Sequence, residues 1–433
     1  MLTAAAMRSG QSKHDHGEAA SAAGGRTPST GGAPRPRSRP RTAGEDDQGA
    51  LGDRRRRLVE LGGARMKADL LHSLAFTPPI GPPPMITTCE AHGMSGQRRA
   101  RASEVRRFLA GRYFDSDRDR GIRQRLTALI EGNAQSLTGT KDVAIVTGDN
   151  VLGKSTMLYQ VAFEAHRRLV APHTNPDVRP ATTARTITGR RVENLEVDHV
   201  PVLFLSLAAG TTVAKFNAQI VQALGYPPGV EKRVRYLDLL ERHGVRLLIV
   251  DDLHLLKTSL KLGREALDHL KAVVTAVGEL GATVILAGAN LHTHPVMDDP
   301  QVTGRAYEIP VAPYSGTTKA DRLAFQQFLR ECAKHAQPYL PAGRPDHIWK
   351  ELPHIWLERS AGYHRDLLQL LRDATTAAIE DGTWAITEKH LAGVTLAALA
   401  ERRNADAHAT RRRATAPVGD PSATAAPRSG ASA

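Results

Sequence analysis

Eight consecutive residues carry the most specific chemistry: Gly148-Asp149-Asn150-Val151-Leu152-Gly153-Lys154-Ser155, within 143-VAIVTGDNVLGKSTML-158. They fit G-x-x-x-x-G-K-[ST] in full. The glycines let the main chain wrap closely around phosphate groups, so that N–H groups converge at a helix N-terminus. Lys154 is placed to neutralise β- and γ-phosphates, the Ser155 hydroxyl to bind Mg²⁺, and Thr156 to reach an α-phosphate. A plain glycine turn between strand and helix has no need of a Lys-Ser pair at that offset. The expected cofactors are therefore ATP and Mg²⁺.

A second acidic element follows in 245-VRLLIVDDLHLL-256. Asp251, at the end of an apolar strand, can hold the water shell of the same Mg²⁺. Asp252 stands where many ATPases keep a glutamate that activates the attacking water. It is one methylene shorter, so an ATP hydrolase with slow turnover is expected. Asn290, after the strand ATVILAG, is placed to orient water or touch the γ-phosphate. Arg305, in 300-PQVTGRAYEI-309, sits where ring-forming ATPases keep an arginine that reaches a neighbouring subunit's γ-phosphate. Arg365, in 361-AGYHRDL-367, opens a helix after a glycine and can fold over the phosphates. His292 and His294 have no third ligand at metal-site spacing.

Elements of alternating type must position these groups. Apolar runs predict strands at 142–147, 200–206, 245–250, 282–288 and 306–311. They lack strict alternation, as in a parallel sheet buried on both faces. Helical periodicity fills 154–169, 212–224, 232–243 and 261–279. Beyond Pro313 only helices are predicted, at 319–336, 346–359, 363–380 and 387–402, with Gly362 and Gly382 as breaks. The expected organisation is a disordered or low-complexity basic head over 1–97 and a basic helical lead-in over 98–133. A three-layer αβα nucleotide-binding core over 134–313, a helical lid over 314–402 and a disordered tail over 403–433 complete it. The segment 171–199, with three prolines, reads as an insertion or long loop.

Composition narrows the partners. A net charge of +13 favours a polyanion, nucleic acid above all, although basic tails contribute to it. Lys215, Arg185, Arg190 and Arg191 are candidates for a DNA face, with the arginines of 98–125 as a second patch. Two cysteines supply neither a disulfide framework nor a metal site, which suits the cytoplasm. No apolar run is long enough to span a membrane, and the N-terminus has no secretory apolar region.

Phosphate loop, acidic pair, strand with Asn290, Arg305 before the fifth strand and a helical lid together resemble the AAA+ ATPases. Four stretches resemble the TniB/TnsC group of transposition ATPases: 200-VPVLFLSLAAGTTVAKFNAQIVQALGYP-227, 249-IVDDLHLL-256, Gln301 to Arg305, and 362-GYHRDLLQLLRDATTAAI-379. The resemblance covers roughly 115–400. It implies an ATP-gated homo-oligomer, ring or filament, that assembles on DNA largely without reading sequence and recruits a transposase or integrase to target DNA. That family usually has Asp-Glu where this chain has Asp251-Asp252. Alternative readings are a helicase-loader or replication-initiator-like ATPase, an oligomerising signalling switch without DNA binding, and a non-hydrolysing scaffold. A neighbouring gene for an integrase would favour the first reading, and one for a replicative helicase the loader.

Overall fold

Strand residues sort by parity onto two buried faces, and that sorting builds the molecule. The computed structural model describes residues 68–136, 140–171, 190–192, 195–197, 199–256 and 260–415. Five parallel strands form one sheet: β1 (Val143–Gly148), β4 (Val202–Ser206), β5 (Leu247–Asp251), β6 (Thr283–Ala289) and β7 (Ala306–Pro310), ordered β4-β5-β6-β1-β7. Between β1 and β4 a short antiparallel pair joins β2 (Arg190–Val192) to β3 (Leu195–Val197).

Val143, Ile145, Leu203, Leu205, Leu248, Val250, Val284 and Leu286 face one way. They pack on α6 (Val213–Ala223) and α8 (Leu260–Glu279), with α7 (Tyr236–Arg242) beside them. Ala144, Val146, Val202, Phe204, Leu247, Ile249, Ile285 and Ala287 face the opposite way. There they meet α4 (Asp117–Gln135) and α5 (Lys154–Val170). Period-two alternation with both faces apolar is what a doubly covered parallel sheet demands. The three-layer expectation therefore holds.

The lid has its own core. Beyond the short α9 (Pro300–Thr303) and β7, it comprises α10 (Lys319–Ala336), α11 (His347–Lys350), α12 (Pro353–Ser360), α13 (His364–Glu380), α14 (Glu388–Gly393) and α15 (Ala398–Thr415). Phe325, Phe328, Leu329, Trp356, Leu367, Leu371 and Ile379 are buried together there. Two expected helices are each split. Pro353 cannot continue the helix of 347–350 and instead begins the next one, where its missing N–H is no loss. Residues 394–397 separate α14 from α15, which runs past the expected end at 402 to 415.

Two further differences lie at the N-terminal side. The expected head, disordered or low-complexity, reached residue 97; within it α1 (Ala68–Phe76) buries Ala68, Leu71 and Ala75, and His72 meets His166 of α5 at 3.0 Å. Next, α2 (Thr88–Gly93) begins with a reciprocal capping box between Thr87 and Glu90 and buries Ala91. The lead-in is likewise two separate helices. Only α4 joins the sheet, whereas α3 (Arg98–Ala110) buries Ala102, Val105, Phe108 and Leu109 in the lid core. Residues 1–67, residues 416–433 and Arg185 lie outside the described residues.

Gly362 makes the tightest main-chain approach of the lid, against Tyr314. Its φ of +76° is in the glycine-favoured region, and a Cβ there would lie 1.8 Å from the Tyr314 carbonyl oxygen. The Gly362 carbonyl in turn accepts from the Tyr314 N–H at 2.9 Å. Gly362→Ala is expected to destabilise the fold by about 2 kcal/mol or more, from backbone strain and a displaced contact. A urea midpoint equal to that of the unaltered chain would show that the 314–362 contact yields at no cost.

Candidate nucleotide site

The site forms where β1 and β5 end. Gly148 adopts φ +149°, and a Cβ on it would stand 2.1 Å from the Val311 carbonyl oxygen. Gly153, at φ +86°, caps α5, and a Cβ there would meet the His364 ring at 3.0 Å. Both positions exclude a side chain, so the bare main chain lines the turn. Lys154, buried in the first turn of α5, donates from Nζ to the carbonyls of Gly148 at 2.8 Å and Asp149 at 2.6 Å. Burial lowers its pKa, against the opposing pull of Asp251, Asp149 and Asp252.

Asp251 is 2% exposed. Its Oδ1 accepts from the Asp252 N–H at 2.9 Å, and Ser155 lines the same cleft. Burial raises its pKa above the ordinary carboxylate value, with Ser155 acting the other way. Asp252 is half-buried at φ +57°, a left-handed position that turns its side chain out of the strand. A cleft of about 310 Å³ joins these groups. Asn150 to Thr156 form one wall and Asp251, Asp252 and Ala289 another, while His364, Arg365, Leu368 and Arg372 of α13 close it from the lid.

Lid and loop touch directly. The Arg365 N–H donates to the Val151 carbonyl at 3.2 Å, and the Tyr363 hydroxyl donates to Asp149 Oδ2 at 2.9 Å. The arrangement fits a magnesium–triphosphate in its donor set. Cations (Lys154, Arg365, Arg372) line the cleft beside a turn bounded by Gly148 and Gly153, and the Ser155 hydroxyl and Asp251 carboxylate offer the hard oxygens Mg²⁺ prefers. Ser155 and Asp251 are the residues that would hold the metal; it would supply charge neutralisation at the phosphates.

Not every sequence-predicted residue lies in this cleft. Thr156 and Arg365 do. Asn290 is exposed at φ +48° and reaches the loop only through its N–H, 3.3 Å from the Gly148 carbonyl. Arg305 lies elsewhere. Its carbonyl accepts from the Val143 N–H at 2.9 Å, at the start of β1, whereas Gly148 is at the end of that strand. A strand of this length puts roughly 15 to 20 Å between them. Its guanidinium donates to Thr275 Oγ1 on α8 at 3.0 Å.

Arg372, half-buried in the cleft wall, was missed by reading the sequence, although it follows Arg365 by seven residues, about two helical turns on one face. Its pKa is lowered by burial foremost. Tyr363 carried no local signal at all.

Several arginines of the basic patch 98–125 are paired within the molecule, some of them at its surface. Arg101 is buried and pairs with Glu104, and Arg118 stacks over Tyr314 and donates to the Ala312 carbonyl. Arg120 and Arg123 bind Asp115, and Arg106 binds Asp373. Arg99 and Arg107 on α3, and Lys215 at the start of α6, remain exposed. Arg190 and Arg191 are described only as backbone of the β2–β3 pair.

Strand order β4-β5-β6-β1-β7, a phosphate loop after the inner strand β1 and a helical lid seated on that loop define the P-loop fold of the AAA+ class. The family model described as the bacterial TniB protein matches residues 183–315, less than half of the chain. No curated protein matches it. Similar solved structures include Drosophila ORC bound to DNA, at 16% identity over 79% of this chain and 74% of that one, TM-score 0.45. The Aeropyrum pernix ORC2 protein is 15% identical over 62% and 66%, TM-score 0.40. Cdc6p from Pyrobaculum aerophilum is 15% identical over 64% and 67%, TM-score 0.42. Among the described residues no helix is long and apolar enough to cross a membrane.

Proposed function

We propose that the chain binds ATP with Mg²⁺, assembles with copies of itself on DNA when ATP is bound, and recruits a transposase or integrase to the target. The match of residues 183–315 to TniB carries this reading. The cleft supports its nucleotide half, and the charge of +13 with exposed Lys215, Arg99 and Arg107 its DNA half. Contacts of that kind follow the phosphate backbone and so select duplex over sequence. Filter binding of unrelated duplexes with ATP, with ADP and without nucleotide tests it. Tight, salt-sensitive binding only with ATP is expected, together with co-sedimentation of the transposase. DNA binding indifferent to nucleotide would sink the assembly reading, and none at moderate salt would leave an oligomerising switch.

Hydrolysis is proposed to be slow, with Asp252 as the base acting on water. Its shorter side chain positions water less well than a glutamate. Asp252→Asn should keep ATP affinity within about twofold and lose residual turnover about a hundredfold, the usual range for removing a general base. Phosphate release at an unchanged rate would assign the base to another acid.

A further inference from the structure

The P-loop residue Asp149 is tied to the C-terminal helix through two side chains. Its Oδ2 accepts from the Tyr363 hydroxyl at 2.9 Å. The Arg403 guanidinium, from α15, lies over the Tyr363 ring with its carbon 3.5 Å from the centroid. Arg403 also donates to Oδ2 of Asp366 at 2.7 Å, and Asp366 is 1% exposed in the first turn of α13. Its other terminal nitrogen, Nη1, is buried without a hydrogen-bond partner. Helix α15 is itself fixed to the lid: Ala400 is buried, and Asn404 donates to the Arg359 carbonyl at 2.7 Å.

We propose that Tyr363 and Arg403 are positioning residues that hold the phosphate loop in its binding shape, so that α15 helps to set nucleotide affinity. The inference rests on the nucleotide reading of the cleft. The Asp149 carbonyl is one of the two that fix Lys154 Nζ, so the orientation of Asp149 and of that cation are linked. A carboxylate freed from Tyr363 can turn toward the cleft, where it opposes an incoming polyanion and competes for Lys154. Arg403 keeps the ring in place by stacking on one face while anchored to Asp366. A loop already shaped before binding does not have to be ordered during it.

Full-length chain titrated with a fluorescent ATP analogue tests this, with Lys154→Ala as the reference for loss of the site. Tyr363→Phe keeps the ring and its stacking and removes only the hydroxyl. It should weaken binding about three- to tenfold, the scale of one ordinary net hydrogen bond, because the lost bond acts on the loop and not on the nucleotide itself. Arg403→Gln should do the same. The double variant should be within about twofold of the weaker single one, since both act through one contact. Amide exchange of 149–153 in the nucleotide-free chain should quicken in each variant, with thermal unfolding of Tyr363→Phe unchanged.

If Tyr363→Phe binds and exchanges like the unaltered chain, while Lys154→Ala fails to bind, the inference is wrong and the nucleotide reading stands. Additive losses in the double variant also overturn it, because Arg403 would then act by another route. An unaltered chain that does not bind the analogue removes both.

Discussion

Lys154→Ala is expected to lower ATP affinity at least about a hundredfold, the loss implied by two charge-assisted contacts of about 1.5 to 3 kcal/mol each. The ammonium sits on the Gly148 and Asp149 carbonyls at 2.8 and 2.6 Å, at the helix end of a turn with no room for a Cβ at Gly148 or Gly153. That is where an anion entering the turn would meet it. Burial already holds the pKa of Lys154 below the usual lysine value. A bound polyanion would favour its charged form and so oppose that lowering. The fold should tolerate the change, because the lysine contacts loop carbonyls rather than either apolar face of the sheet. ATP should raise the melting temperature of the unaltered chain and leave that of Lys154→Ala in place. Equal dissociation constants for the two chains in a calorimetric titration would reject the phosphate-loop reading.

Local chemistry was legible where all of its parts are neighbours in sequence. The loop 148–155 needs only a strand before it and a helix after it, and both β1 and α5 fall within one residue of where periodicity puts them. Asp251 was legible for the same reason, at the end of a buried apolar run. What the sequence hid is contact across distance. Nothing near Tyr363 announces that its hydroxyl reaches Asp149, and nothing near Gly362 announces the Tyr314 carbonyl against it. The arginines of 98–125 misled because charge read along a chain says nothing about partners: Asp115 binds two of them and Tyr314 lies under a third. Residues 68–93 were absorbed into the basic head because composition averages over a window that begins in a polar segment. Leu71 and Ala75, one turn apart, are enough to seat α1.

Arg305→Ala is expected to leave ATP binding by the single chain unchanged within about twofold while removing ATP-driven assembly, as for an arginine that completes a neighbour's site. The position argues for that division of roles. Arg305 stands at the start of β7, by the opposite end of β1 from Gly148, so its own cleft is out of reach. Its partner in the chain is the hydroxyl of Thr275, and among the described residues no carboxylate pairs with it. The guanidinium is half-buried with its charge uncompensated, while its Nε is buried without a partner. A phosphate of an adjoining subunit would supply the missing counter-charge in the bidentate form arginine favours. DNA affinity should fall together with assembly, because one copy contacts few phosphates and an oligomer sums many, which also steepens the dependence on salt. Sedimentation with ATP, with and without a duplex, separates the possibilities. If Arg305→Ala still sediments as the ATP-dependent oligomer, the arginine serves only to join β7 to α8 through Thr275, and the contact between subunits must be built from other residues.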